Sequence, residues 1–297
     1  MSTQLLFYEQ AVPVSAEKHR NWGLVTGFDY SFAKRVNSVP ITAVEFPRAA
    51  LEYALVFAGN EAGIMPAVVL GIEDHKNLYV DPPGRWTGRY VPAFVRRYPF
   101  VFSSNDGANL TLCLDGGFAG WNQEGKGQRL FDDSGKRTEY LENILKFLRQ
   151  YQVEFQRTQN FCKKLKELDL LEPVHAQFTA RGGERRSLGG FMAISRDKLK
   201  KLPAETLAQL AATDELELVY LHLHSLNHFE ALLARAARGS GKTGGGKPTG
   251  AGGQNAGSRT AMRPAPGATP ARQSAPAESA SADAMAKKKV SKKPVEK

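Results

Sequence analysis

The chain has 297 residues and a net charge of +10, but both composition and charge change abruptly near residue 237. Residues 238–297 hold 12 of the 40 basic and 3 of the 30 acidic residues, and so +9 of the net charge, in Gly/Ala/Pro/Ser/Lys sequence with almost no large apolar side chain. Such a stretch cannot offset its ordering entropy and is expected to be a disordered basic tail. Residues 1–237 are nearly neutral, which excludes inferring a nucleic-acid-binding domain from the high pI, and they suffice for one large domain.

In chain order, residues 1–40 read as an extended lead-in anchored by Phe7, Tyr8, Trp22 and Phe28. Alternating apolar positions predict strands over 40–47, 53–58 and 67–72. Residues 77–100 then concentrate Trp86, three tyrosines, two phenylalanines, four arginines and four prolines. Proline fixes φ and removes a donor, so this segment is expected to be a rigid, ordered loop. Residues 99–104 and 110–114 predict two more strands about an Asp106-Gly107 turn. Short strands joined by brief turns favour antiparallel sheet.

After the Asp132-Asp133-Ser134-Gly135 turn, Thr138 is a candidate helix cap. Leu141, Leu145, Leu148, Phe155, Cys162, Leu165 and Leu168 recur at helical spacing, with Pro173 expected to end the helix. Residues 174–180 and 188–194 predict a hairpin about the polar turn 181–187, and helices are expected over 197–201, 203–212 and 215–237. The fold class is therefore α+β, with an antiparallel β-rich N-terminal half, a helical C-terminal half and the disordered tail; the domains are 1–237 and 238–297.

Two strings resemble phosphate-binding loops and fail on context. Residues 120–127 have the Gly-x4-Gly-Lys frame, but Gly127 stands where a magnesium-binding hydroxyl is needed, and no helix follows. Residues 236–243 end in Gly241-Lys242-Thr243 but follow a helix and precede glycine-rich coil. His224 and His228 share a helical face with Glu217, while His222 points elsewhere, so a solvated polar face is expected and no metal site is assigned. Asp81, Asp115, Asp132 and Asp133 are the acids nearest the aromatic segment; turn capping is the expected use of the last two. Cys113 and Cys162 match no disulfide or metal spacing and read as buried, inert thiols. No catalytic set and no cofactor motif emerges. Trp86, Tyr90, Arg96, Arg97 and Tyr98 form the binding candidate, since aromatic area and arginine donors are enriched at recognition hot spots. Their alternative use is structural, the rings plugging the sheet and an arginine meeting an internal acid.

Separated motifs carry a resemblance. They include Asn77-Leu78-Tyr79-Val80-Asp81, Tyr90-Val91-Pro92-Ala93, Arg97-Tyr98-Pro99-Phe100, Gly189-Gly190-Phe191 and Tyr220-Leu221-His222-Leu223-His224-Ser225-Leu226. In this order, over roughly residues 5–235, the chain resembles the SapC family of bacterial proteins. The resemblance implies a surface-layer association from the family name, or work beside oxygenase- and halogenase-like enzymes, and carries over no catalytic residue. The peptide-transporter permease that shares the label needs membrane spans, which this sequence does not offer. The function expected is a non-enzymatic binding or interaction protein with a protein or small-molecule partner; the alternative is an enzyme or an enzyme's accessory. No leader is recognised, so a cytoplasmic location is expected, with leaderless export the route to any surface layer. The Lys287-Lys288-Lys289 run could contribute salt-sensitive, sequence-blind contact with nucleic acid or anionic surfaces.

Overall fold

The computed structural model describes residues 5–25, 27, 29–60, 63–103, 109–179, 185–239 and 262–264. All belong to the first of two units into which the chain divides, Met1–Ala265 and Pro266–Lys297. The predicted tail thus lies outside the described residues except at 238–239 and 262–264, and so do Phe28, the Asp106-Gly107 turn and the Lys287–Lys289 run.

The lead-in carries short elements: β1 (Ala11–Pro13), α1 (Ala16–His19), β2 (Gly23–Leu24) and β3 (Ser38–Pro40). Next come α2 (Phe46–Ala49), β4 (Leu55–Asn60), β5 (Gly63–Val69), α3 (Ala93–Arg96), β6 (Phe100–Ser103) and β7 (Thr111–Asp115). β8 (Trp121–Asn122) and β9 (Gln128–Arg129) precede the long helix α4 (Glu139–Glu167). The remainder comprises β10 (Leu171–Thr179), β11 (Arg185–Ile194), α5 (Arg196–Leu199), α6 (Ala204–Ala212), α7 (Glu215–Ser225), α8 (His228–Gly239) and β12 (Met262–Pro264).

Every strand pair is antiparallel, in three sheets ordered β1-β7-β6, β12-β10-β11-β4-β5-β3 and β8-β2-β9 among the described residues. With helices dominating the second half, the α+β class is established.

Two apolar clusters share α4. Leu141, Leu145 and Leu148 pack with Phe100, Leu114 and Leu130, whereas Tyr151, Phe161, Cys162 and Leu165 pack with Phe46, Tyr53, Phe57 and Phe94. At ~1.5 Å per residue, 29 residues span about 43 Å, enough to reach both clusters. Thr138 caps the helix, its hydroxyl accepting from the Leu141 N–H. Cys113 and Cys162 are buried free thiols, and burial pushes the Cys162 pKa up to about 12.

Local chemistry overrides the predicted pattern at three places. Residues 40–47 are not a strand: β3 ends at Pro40, and Ala43–Glu45 turns as a 3-10 helix into α2. Thr42 and Glu45 form a capping box there, and Pro47 has the φ of a helical first turn. α4 stops at Glu167 rather than running to Pro173; Asp169 takes a left-handed conformation (φ 51°), and Pro173 sits within β10 opposite Met192. The helix expected over 215–237 breaks between Ser225 and His228 into α7 and α8.

Candidate functional site

The aromatic segment is held from beneath by two carboxylates. Glu45 is 4% exposed, and each of its oxygens accepts twice. Oε2 takes the Thr42 N–H (2.8 Å) and hydroxyl (2.7 Å), and Oε1 takes the Tyr90 hydroxyl (2.6 Å) and the Ala93 N–H (2.7 Å). Glu52 accepts the Arg89 N–H at 2.7 Å. The internal acids of this region thus grip backbone N–H groups and a phenol.

Trp86 is half-buried and donates its indole N–H to the Tyr53 hydroxyl (2.9 Å) and the Tyr90 carbonyl (3.1 Å). A Cβ at position 88 would lie 2.3 Å from the Tyr53 hydroxyl and 2.8 Å from the indole nitrogen, so only glycine fits there. Tyr98 stacks on Phe32 (4.2 Å between centroids) and donates to Asp115 (3.0 Å). Burial, then the Asp115 carboxylate, raises the Tyr98 pKa above the usual phenol value; burial and Glu45 do the same to Tyr90. Arg96 is exposed, with Nε donating to the Val91 carbonyl (3.0 Å) and its guanidinium over the Phe147 ring (5.3 Å).

Arg97 is placed differently from the other four candidates. It follows α3, is only 6% exposed, and lays its guanidinium 4.0 Å from the Phe94 ring centroid and 5.2 Å from that of Tyr151. It also lines a cleft of about 1240 Å³ bounded by the N-terminal segment at Leu6–Glu9, β3, β5 and α4. Apolar walls come from Phe7, Phe32, Val36, Met65 and Phe155, while Arg35, Glu9 and Asp74 add charge and His75 an imidazole. Of the five predicted residues, Arg97 is the one in this lining; Trp86, Tyr90 and Tyr98 hydrogen-bond into the fold.

Tyr8, expected as an anchor, also lines the cleft and donates to the Phe100 carbonyl at 2.7 Å. Burial raises its pKa, and the charged Arg97 nearby pulls the other way. Tyr151 was not singled out from the sequence. Its signal was present: it lies three residues beyond Leu148, on the stripe that continues through Glu154 and Thr158. Those two polar residues mask the periodicity although both are buried; Thr158 accepts from the Ala43 N–H at 2.8 Å.

The four acids noted in the sequence do not converge. Asp115 is fully buried at the end of β7, Asp81 bonds Arg85, Asp132 Oδ1 caps its turn through the Ser134 and Lys136 N–H groups, and Asp133 pairs with Arg129. In the 120–127 string, the Asn122 side chain accepts from the Glu124 and Lys126 N–H groups, closing a turn between β8 and β9.

The histidines separate. His224 is exposed, and His228 meets the Ala50 carbonyl at 2.9 Å. His222 is fully buried, its Nε2 accepting the Ile194 N–H at 3.0 Å. Among the described residues no group of three His, Cys, Asp or Glu is placed to hold a metal ion.

Burial pushes the His222 pKa down to about 3, with the Leu55 backbone opposing in part. Unfolded chain takes up this proton below pH ~6.5, but the fold does so only near 3. The unfolded state therefore binds more protons in that window, and stability drops by about 1.4 kcal/mol for each unit by which the pH is lowered. Urea melts at pH 7 and pH 5 should show the native chain losing about 2 kcal/mol more than His222→Gln, which keeps a neutral acceptor. Equal losses would remove His222 as the cause.

The family comparison accords with the chain-wide motifs. The SapC family profile matches residues 14–232. No curated protein and no solved structure matches the chain. Among the described residues no helix is long and apolar enough to cross a membrane. The match covers well over half of the sequence, including most elements that build the cleft, and the chain belongs to the SapC family.

Proposed function

We propose that this chain is a binding protein, not a catalyst, and that its ligand enters the cleft over Arg97. One observation carries the reading: a cleft of about 1240 Å³ has a buried guanidinium stacked on two aromatic rings in its lining. Ligand sites are concave, largely apolar and supplied with a few fixed polar groups, and this cleft has that make-up. Residues 1–237 constitute the binding domain, with 238–297 a basic extension. The domain works in the cytoplasm, and a surface-layer role would need export of the same fold.

Native mass spectrometry of the full chain, purified without detergent, tests this. The expected spectrum shows extra mass at near-stoichiometric level that leaves on denaturation and is lost in Arg97→Met. A bare polypeptide mass in repeated preparations would refute ligand retention and leave interaction with another protein as the role to examine.

A further inference from the structure

An open strand edge borders the same cleft. Among the described residues β3 is the end strand of the six-stranded sheet, and Ser38, Val39 and Pro40 all line the space. The antiparallel register sets Ser38 against Val69, Val39 against Val68 and Pro40 against Ala67. Opposed residues in such a pair alternate between those that exchange hydrogen bonds and those that do not. Here the bonds fall on the residues flanking Ser38 and Pro40. The Asn37 carbonyl accepts the Leu70 N–H (2.7 Å), and the Ile41 N–H donates to the Pro66 carbonyl (2.9 Å). Val69, opposite Ser38, turns its N–H the other way, to the Ala54 carbonyl (3.0 Å). Ser38 and Pro40 therefore direct their backbone groups away from β5. Because proline has no N–H, the open edge offers the Ser38 N–H and the Ser38 and Pro40 carbonyls.

Such an edge is a template for another chain, and an edge proline is one of the devices that limit unwanted pairing. Leu6–Glu9 and the α4 residues Tyr151, Gln152 and Phe155 wall the space beside β3, which leaves room for a single extended segment rather than a second sheet. Ser38, Pro40, Met65 and Ala67 share one sheet face, since Pro40 opposes Ala67 and side chains alternate, and all of them line the cleft. Every second side chain of an added strand would project on that face, into a space walled by Phe7, Phe32 and Phe155. Glu9, Asp74 and Arg35 all stand at exposed positions around it, acid and base together, so charge does not select the ligand and the strand edge does. Resting on the binding-protein reading, we infer that the cleft takes an extended peptide segment of a partner protein, added to the sheet along β3 with alternate apolar side chains in the cleft. In this mode main-chain hydrogen bonds give affinity, and the sites for alternate side chains give specificity.

The test is selection of linear peptides from a phage-displayed random library on the immobilised full chain, followed by calorimetric titration of the enriched peptide made synthetically. The expected peptide has apolar residues at alternate positions. Methylating its amide nitrogens one at a time should weaken binding about tenfold at every second position and little in between, because only alternate N–H groups face β3. Ser38→Pro removes the outward N–H without touching the bonds to β5. It should weaken the peptide by a similar factor while the melting temperature of the unliganded chain stays near the native value. Pro40→Ala guards against misfolding of Ser38→Pro: it adds an N–H to the open edge and should tighten binding ~2–10-fold. A peptide held by side chains alone would show no two-residue alternation and no response to either change of backbone.

A methylation scan without alternation, or an unchanged affinity in a folded Ser38→Pro, would each overturn strand addition at β3. A library that yields no enriched peptide, with a small molecule retained in native mass spectrometry, would overturn the peptide assignment alone. The same failure with a bare native mass would overturn the binding-protein reading as well.

Discussion

Asp115→Ala is expected to destabilise the fold by about 3–5 kcal/mol, near the upper limit for single substitutions. Asp115 is fully buried and binds two parts of the chain far apart in sequence. Oδ1 accepts the Gln10 N–H (2.9 Å) and the Gly117 N–H (3.2 Å); Oδ2 accepts the Glu9 N–H (3.1 Å) and the Tyr98 hydroxyl (3.0 Å). Alanine leaves these donors without their carboxylate around a side chain that is itself fully buried, at ~1–3 kcal/mol for each group that stays unsatisfied, and incompletely additive.

The effect has a direction as well as a size. Glu9 and Gln10 lead into β1, which pairs with β7 as Ala11↔Asp115, and Leu6–Glu9 borders the cleft. Hydrogen exchange should therefore accelerate over residues 5–13 in the variant more than in the β10–β11 pair, and any retained ligand should be lost. Asp115→Asn keeps the shape but trades one acceptor oxygen for a donor nitrogen, so a loss of about 2 kcal/mol or more is expected. A denaturation free energy for Asp115→Ala within 1 kcal/mol of the native value would show that the N-terminal segment is held by its apolar contacts instead.

Local rules carried much of the architecture. Thr138 and the three-to-four spacing from Leu141 to Leu165 locate α4, and alternation locates β4 and β5 within a few residues. Residues 40–47 contained competing local signals: Thr42-x-x-Glu45 is a capping-box pattern as well as part of an alternating run, and Pro47 tips the competition towards helix.

The site was less legible because its walls come from distant segments. Tyr8 and Arg97 are some 90 residues apart, and Tyr151, within α4, lies more than 50 residues beyond Arg97. Composition draws attention to Trp86 and Tyr90 along with Arg97. Which of them meets the cleft depends on the pairing of β1 with β7 and on where α4 crosses β5, both long-range outcomes. Asp115 and Asp132 look equivalent in sequence, yet one is buried against strand backbone and the other caps a surface turn.

Glu45→Ala should cost a comparable 3–5 kcal/mol, and Glu45→Gln nearly as much, which separates a two-ended acceptor from a merely polar filler. The two oxygens face different segments: Thr42 on one side, and Tyr90 with Ala93 on the other. A glutamine must turn its NH2 towards one of these pairs, placing donor against donor in a buried site, so the isosteric change restores only half of the arrangement. The Ala93 N–H opens α3, the turn that delivers Phe94 and Arg97 to the cleft. Loss of the carboxylate should therefore reach the ligand as well as the fold. Denaturation of Glu45→Gln and Glu45→Ala, with titration of each under conditions where it remains folded, measures both effects. If Gln matched the native chain in stability and affinity, Arg97, which stacks on Phe94 and Tyr151, would be positioned without help from Glu45, and the buried carboxylate beneath the aromatic segment would have no part in shaping the site.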